Sequence, residues 1–251
     1  MAIGENVLGA ATTAEAMVAI GRCAFGDGVI TGNVAGIAIG QYAGQAMTGS
    51  ASNNTFIGNS AGKNVTSGSQ NTLIGKYAGC NSDCNMTSTH NHIILGDENA
   101  LCFFTSTNYT EVSDCRDKTD ITDIDLGLDY IKALRPVYYR WDKRGWYDDF
   151  DMQNDEDRNL FINYKQDHSK KRHKWMVGLL GQEALAAEKA HTDKEQCVNH
   201  DGGHPEGWCD EGLLVTGTYE AGYRMTYTGI IMPLIKAVQE LSAKVEALEN
   251  A

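Results

Sequence analysis

An aliphatic residue followed by glycine recurs through the first hundred residues and dominates what this part of the chain can become. Ile39-Gly40-Gln-Tyr-Ala43-Gly44 is followed by Ile57-Gly58-Asn-Ser-Ala61-Gly62 and by Ile74-Gly75-Lys-Tyr-Ala78-Gly79. Looser copies stand at Leu8-Gly9, Ile20-Gly21 and Leu95-Gly96, and the steps from Ile20 onward lie 19, 18, 17 and 21 residues apart. Self-similarity at such a period marks a repeat architecture. Each step ends a short alternating stretch such as Asn54-Thr-Phe-Ile57, and turns such as Thr66-Ser-Gly-Ser-Gln-Asn71 separate the copies. One strand of about four to six residues cannot bury its own apolar face, whereas stacked copies can. The runs are too short and too Gly-rich for helices. Even stacked, these thin copies make a small core for one chain, so an oligomeric β-helix or β-prism is expected. A disordered Gly/Ser-rich linker is the competing reading, and the regular placement of Ile and Leu argues against it.

The repeats resemble those of phage tail fibres and of the heads of trimeric bacterial adhesins. They also stand apart from the rest of the chain in composition. Residues 1–112 hold 16 of the 27 glycines and only 3 of the 21 Lys/Arg, with no proline and no tryptophan. All four tryptophans and all three prolines fall in 113–251, which places a domain boundary near Val112-Ser113. The net charge of −12 argues against broad contact with nucleic acid or anionic membrane, since both attract cationic surfaces. No apolar run approaches the roughly 18–20 residues that span a bilayer. Met1-Ala-Ile-Gly-Glu-Asn6 has no basic segment leading into an apolar one, so no secretion signal is expected. Seven cysteines do not suggest a disulfide framework, and a reducing site of synthesis is the simpler reading.

The second half reads as mixed α/β. An amphipathic stretch carries Leu128, Ile131 and Leu134 on one face and ends before Pro136, because the residue before proline is driven out of the α region. Val137–Trp141 and Trp175–Leu180 read as strands, and Gly181–Leu185 opens a short helix. Tyr223–Tyr227 leads into a long C-terminal helix over 228–249. Four motifs run through this succession: Ser113-Asp-x-Arg-x-Lys118, Leu134-Arg-Pro-Val-Tyr138-x-x-Trp141, Gly178-Leu-Leu-Gly-Gln-Glu183 and Leu234-Ile-x-Ala-x-Gln-Glu-Leu241. In this order they resemble the endosialidase-type intramolecular chaperone, a self-cleaving module of phage tailspikes and tail fibres. The resemblance implies a homotrimer in which 113–251 assists folding of a trimeric β-helix or β-prism over 1–112 and then severs itself.

The resemblance also implies a cleavage dyad of Ser113 and Lys118, with the cut between Val112 and Ser113. A serine hydroxyl is a weak nucleophile and needs a base; a lysine serves only as the neutral amine, the form that burial favours. The spacing by itself does not join them. Five residues apart, two side chains point to opposite faces of a strand and lie about 140° apart on a helix. A bend or a neighbouring chain must bring them together. Without the family pattern, Ser113 reads as a turn serine beside a solvated Asp/Arg/Lys cluster.

In the C-terminal helix Ile231, Leu234, Val238, Leu241, Val245 and Leu248 alternate at three and four residues, a heptad seam. Val at a with Leu at d leans towards two strands, so a trimer comes from the resemblance alone. The bland alternative is a helix packed on its own domain.

No cofactor is required by this chemistry. Cys197, His200, His204 and Cys209 have zinc-ligand types and spacing, with glycines between that let the chain wrap an ion, so a structural zinc is a separate expectation. Asp148–Asp157 lacks the glycine and the twelfth-position acid of a calcium loop and reads as a solvated acidic loop. His90 and His92 share a strand face beside Cys80 and Cys84 and could meet an axial ion in an oligomer, though a polar strand end is the plainer account.

These readings combine into a phage tail fibre or tailspike, made in the host cytoplasm and carried on the virion tail. Its expected partners are its own copies, other tail proteins and a host-surface glycan or protein; nucleic acid and membrane insertion are not expected. The alternative is a structural adhesin or fibre tip in which Ser113 and Lys118 are inert and the C-terminal domain stays attached.

Overall fold

The computed structural model describes residues 1–9, 11, 16–31, 35–49, 51–80, 85–97, 99–100, 103–104, 106, 111–148, 150, 154–192, 212–216 and 223–251. The chain divides into two compact units, one of Met1–Ser106 with Asp148–Phe161 and one of Thr107–Tyr147 with Ile162–Ala251.

The first unit is a parallel solenoid. Six short strands, β1 (Ala2–Ile3), β2 (Met17–Ile20), β3 (Gly36–Ile39), β4 (Asn54–Ile57), β5 (Thr72–Ile74) and β6 (Ile93–Leu95), pair in sequence order. The register aligns Ile3, Ile20, Ile39, Ile57, Ile74 and Leu95 in one column. Each aligned residue is followed by a glycine with positive φ, from Gly96 at 85° to Gly40 at 134°. A Cβ on Gly40 would stand 2.4 Å from the Gly58 carbonyl oxygen of the next rung, so only glycine lets the rungs approach. Two residues further on, Asn6, Cys23, Tyr42, Ser60 and Tyr77 all take φ between 50° and 60°. The same turn is thus cut into the first five rungs.

That regularity corrects one expected copy. The first step is Ile3-Gly4, paired to Ile20-Gly21, and Leu8-Gly9 lies in the turn that follows it. Gly9 is absent from the positive-φ residues, while Leu8 (φ 53°) occupies the place held by Gly44 and Gly62 in later rungs.

Alternation along each strand sends one residue in and the next out. Ala19, Ala38, Phe56 and Leu73 form a fully buried inner column, continued by Ala24, Ala43, Ala61 and Ala78 after the turn. Phe25 and Phe56 fill the space beside Gly44 and Gly62, with ring centroids 6.2 Å apart. Asn54 and Asn71 are buried too, and a ladder satisfies them. Asn71 N–H and Nδ2 donate to Asn54 Oδ1, the two Nδ2 groups donate to Gly68 and Thr89 carbonyls, and His92 N–H donates to Asn71 Oδ1. The outer face is largely aliphatic, with Thr55 and Thr72 among its residues; Ile20 and Ile57 are half-buried there, whereas Ile39, Ile74, Leu95 and Ile93 are exposed, Ile93 to 75%.

The acidic stretch 148–157, expected as a loop, is helical at its end. Its end starts α2 (Asp155–Asn163), where Asn154 Oδ1 accepts from the Glu156 backbone N–H at 2.8 Å as a side-chain cap.

In the second unit the order is α1 (Leu128–Ala133), β7 (Val137–Tyr139), β8 (Met176–Gly178), α3 (Gly181–Lys189), β9 (Val215–Thr216), β10 (Arg224–Met225) and α4 (Ile231–Glu249). Strands β7 and β8 form an antiparallel pair, as do β9 and β10. Leu134 ends α1 in the extended region, before Pro136 as expected. Leu126, Tyr130 and Leu214 make one small core and Ala184, Leu185 and Val215 another. Helix α4 packs on α1 and buries Pro233 and Ala237. The proline sits in the first turn, where its missing N–H costs nothing. The heptad residues Leu234, Val238, Leu241, Val245 and Leu248 remain exposed, so the face turned to α1 is a different one. Among the described residues no helix is long and apolar enough to cross a membrane.

Candidate active site

Between Val112 and Lys118 the chain makes one tight bend. Cys115–Asp117 form a single 3-10 turn, with extended backbone at Asp114 before it and at Lys118 after it. The Asp114 carboxylate closes the turn by accepting from the Arg116 backbone N–H at 2.9 Å. The same carboxylate holds the Arg116 guanidinium, with Nε at 3.0 Å from Oδ1. This side-chain contact, and then the backbone one, draws the Asp114 carboxyl below its ordinary range, and Asp114 in turn raises Arg116.

The bend brings the two candidate residues together. Lys118 Nζ donates to Ser113 Oγ at 2.6 Å, within one chain and without a neighbouring copy. Extended chain on both sides of a single turn lets residues five apart face each other, which neither a strand nor a helix allows. Val112 is 90% exposed, and Ser113 and Lys118 are exposed as well. One chain therefore supplies the geometry of the pair and leaves it in water.

The other motif residues hold the second unit together. Arg135 Nε donates to Glu183 Oε2 at 2.9 Å, joining the Leu134–Trp141 motif to the Gly178–Glu183 motif. Arg135 keeps the Glu183 carboxyl below its usual range. A Cβ on Gly178 would stand 2.5 Å from the Tyr227 hydroxyl, to which Leu179 N–H donates at 3.0 Å. Glu240 of the last motif reaches α1, accepting from Leu128 N–H at 2.9 Å. These carboxylates read as ordinary surface acids in the sequence; only their partners, far along the chain, give them a role. Glu188 is similar: 1% exposed, it accepts backbone N–H groups of Leu213 and Leu214 and pins the chain there.

The metal candidates Cys197, His200, His204 and Cys209 lie outside the described residues. Among the described residues no cluster of three or more His, Cys, Asp or Glu could hold an ion. His90 Nδ1 accepts from Ser69 N–H at 3.0 Å, and His92 Nδ1 lies 2.6 Å from the His90 carbonyl oxygen.

Residues 113–192 match the model of the peptidase family described as chaperone of endosialidase. Neither a curated protein nor a solved structure matches the chain. The matched segment begins at Ser113 and contains the bend, the Arg135–Glu183 pair, β7, β8 and α3. The family is one of self-cleaving intramolecular chaperones of phage tail proteins. Over residues 113–192 the chain is thus similar to the chaperone domain of the endosialidase type.

Proposed function

We propose that the chain is part of a phage tail fibre or tailspike in which 113–251 chaperones the solenoid of 1–112 and then cuts itself off between Val112 and Ser113. The contact of Lys118 Nζ with Ser113 Oγ at 2.6 Å, beside an exposed Val112, carries this reading. As neutral amine, Lys118 takes the hydroxyl proton of Ser113, and Oγ adds to the carbonyl carbon of a Val112, its own or another copy's. The C–N bond of the tetrahedral adduct breaks, and the amide nitrogen takes the proton from Lys118. The resulting ester is hydrolysed by water, which frees the Val112 carboxylate and restores the hydroxyl. Each chain does this once, and no cofactor enters.

A homotrimer fits two open apolar features. The outer columns of the solenoid are largely aliphatic and partly exposed, and the α4 seam is aliphatic and exposed in one chain. Copies packed there would bury them, and a neighbouring copy would supply the desolvation that Lys118 needs as a base. The mature solenoid would stand on the virion tail, assembled in the host cytoplasm, and contact a host-surface glycan or protein. Zinc held by Cys197, His200, His204 and Cys209 is a separate proposal, answered by metal analysis of the purified chain.

Mass spectrometry and a denaturing gel test the reading. The parent chain is expected as two roughly half-length fragments split after Val112, and Ser113→Ala and Lys118→Ala as intact chains. Splitting of Ser113→Ala at the same bond would overturn it. The exposure of both residues favours one rival, a fibre tip whose C-terminal domain stays attached, and an intact parent chain would select it.

A further inference from the structure

We propose that Asp114 is a positioning residue for the Ser113–Lys118 pair, acting through its side-chain cap on the turn Cys115–Asp117, with Arg116 as its anchor. This rests on the self-cleavage reading above and adds the part that makes five-residue spacing workable. In extended chain, residues five apart are separated by about 16 Å between α-carbons, too far for a lysine to reach a serine hydroxyl. The 3-10 turn removes that separation, and it is short enough to need a side chain to hold it. Its two backbone closures are long, 3.2 Å from Asp117 N–H to Asp114 O and 3.3 Å from Lys118 N–H to Cys115 O. The shorter contact is the cap from Asp114 to Arg116 N–H at 2.9 Å.

Asp114 is suited to this and glutamate would not be. The cap oxygen must sit one methylene from the backbone to accept an N–H two residues on, which Asp, Asn and Ser can do. The remaining lone pairs meet the guanidinium of Arg116, whose own backbone N–H is the capped group, so one residue is gripped at both ends. The charge of Asp114 is thereby taken up by Arg116, and what reaches the dyad is shape.

The full chain made in cell-free translation, sampled over time on denaturing gels, separates the possibilities. Asp114→Ala is expected to slow cleavage about 10-fold or more, the scale of a small misplacement of reacting groups. Asp114→Asn and Asp114→Ser restore the cap and return the rate to within about threefold of the parent. Asp114→Glu keeps the charge without the cap and stays slow. The fold is checked on Ser113→Ala chains, where adding Asp114→Ala leaves Tm within about 2 °C because Arg116 is exposed and Asp114 only half-buried. Parent-like cleavage by Asp114→Ala, rescue by Glu in place of Asn, or a larger fall in Tm would each overturn the positioning role. If Ser113→Ala itself splits, the self-cleavage reading fails and takes this inference with it. If Ser113→Ala stays intact while Asp114→Ala cleaves normally, only this inference fails.

Discussion

Glu240, near the middle of the C-terminal helix, accepts a hydrogen bond from the backbone N–H of Leu128 at 2.9 Å, closing a helix that begins 112 residues earlier in the chain. The Gly127 that precedes α1 has no side chain to cap it, so the long helix supplies the missing acceptor. Glu240→Ala should therefore lower the stability of the second unit by about 1–2 kcal/mol. Glu240→Gln, which keeps an acceptor oxygen, should cost less. Thermal melts of the two variants beside the parent check the order; equal melts would remove Glu240 from the account of how α1 is held.

Two glycines with positive φ should respond differently to alanine. At Gly58 (φ 132°) a Cβ would stand 2.5 Å from the Gly75 carbonyl oxygen, whereas at Gly49 (φ 63°) nothing lies within 4 Å. Gly49→Ala pays only the conformational cost, about 1 kcal/mol. Gly58→Ala must also push two rungs apart, and a loss above about 3 kcal/mol is expected. Urea titrations followed by circular dichroism compare them.

The buried ladder makes Asn71 harder to replace than its apolar neighbours. Asn71→Leu leaves the part-buried Thr89 carbonyl and His92 N–H without their side-chain partner, while Asn54 Oδ1 keeps only the backbone N–H of residue 71. A fully buried orphan costs about 1–3 kcal/mol and a part-buried one less, so the change should destabilise although it adds apolar surface. A leucine variant as stable as the parent would show that the ladder contributes nothing net.

Tyr130 gives the second unit an alkaline limit. Burial, and then the negative charge of Glu188, push its phenol up to about 12. An acid whose proton is held more tightly in the folded state stabilises fully below its unfolded pKa near 10. That contribution is lost as pH rises through about 12. Its hydroxyl has no hydrogen-bond partner among the described residues, so Tyr130→Phe should be at least as stable as the parent at pH 7. Between pH 10 and 12 the parent should lose about 2 kcal/mol more than the phenylalanine variant. Parallel melts across that range measure the divergence.

What the residue order made legible was whatever the backbone demands locally. Ile39-Gly40, Ile57-Gly58 and Ile74-Gly75 announce rungs because no other residue tolerates φ near 130° against a neighbouring carbonyl. Ile3-Gly4 escaped notice because only a two-residue strand precedes its glycine, and Leu8-Gly9 mimicked a step with a glycine that needs no special φ. Helix α2 hid in an acidic run whose apolar residues come only at its end, so no periodicity marked it. At the candidate site the spacing of Ser113 and Lys118 was visible, but the bend was not. It depends on one carboxylate folding back on the second residue after it, a choice that propensity does not reveal. Arg135–Glu183 and Leu128–Glu240 were out of reach for another reason: their partners are brought together by the fold alone.

The uniform rung has a consequence for size. Each strand pairs only with the one before and the one after, and in the first five rungs the chain enters the same turn at the same glycine. Removing 58–74 would join Ile57 directly to Gly75 and leave every remaining column in line. Such a body behaves as a ruler, lengthened or shortened by whole graduations of about 4.8 Å without redesign of what lies at either end.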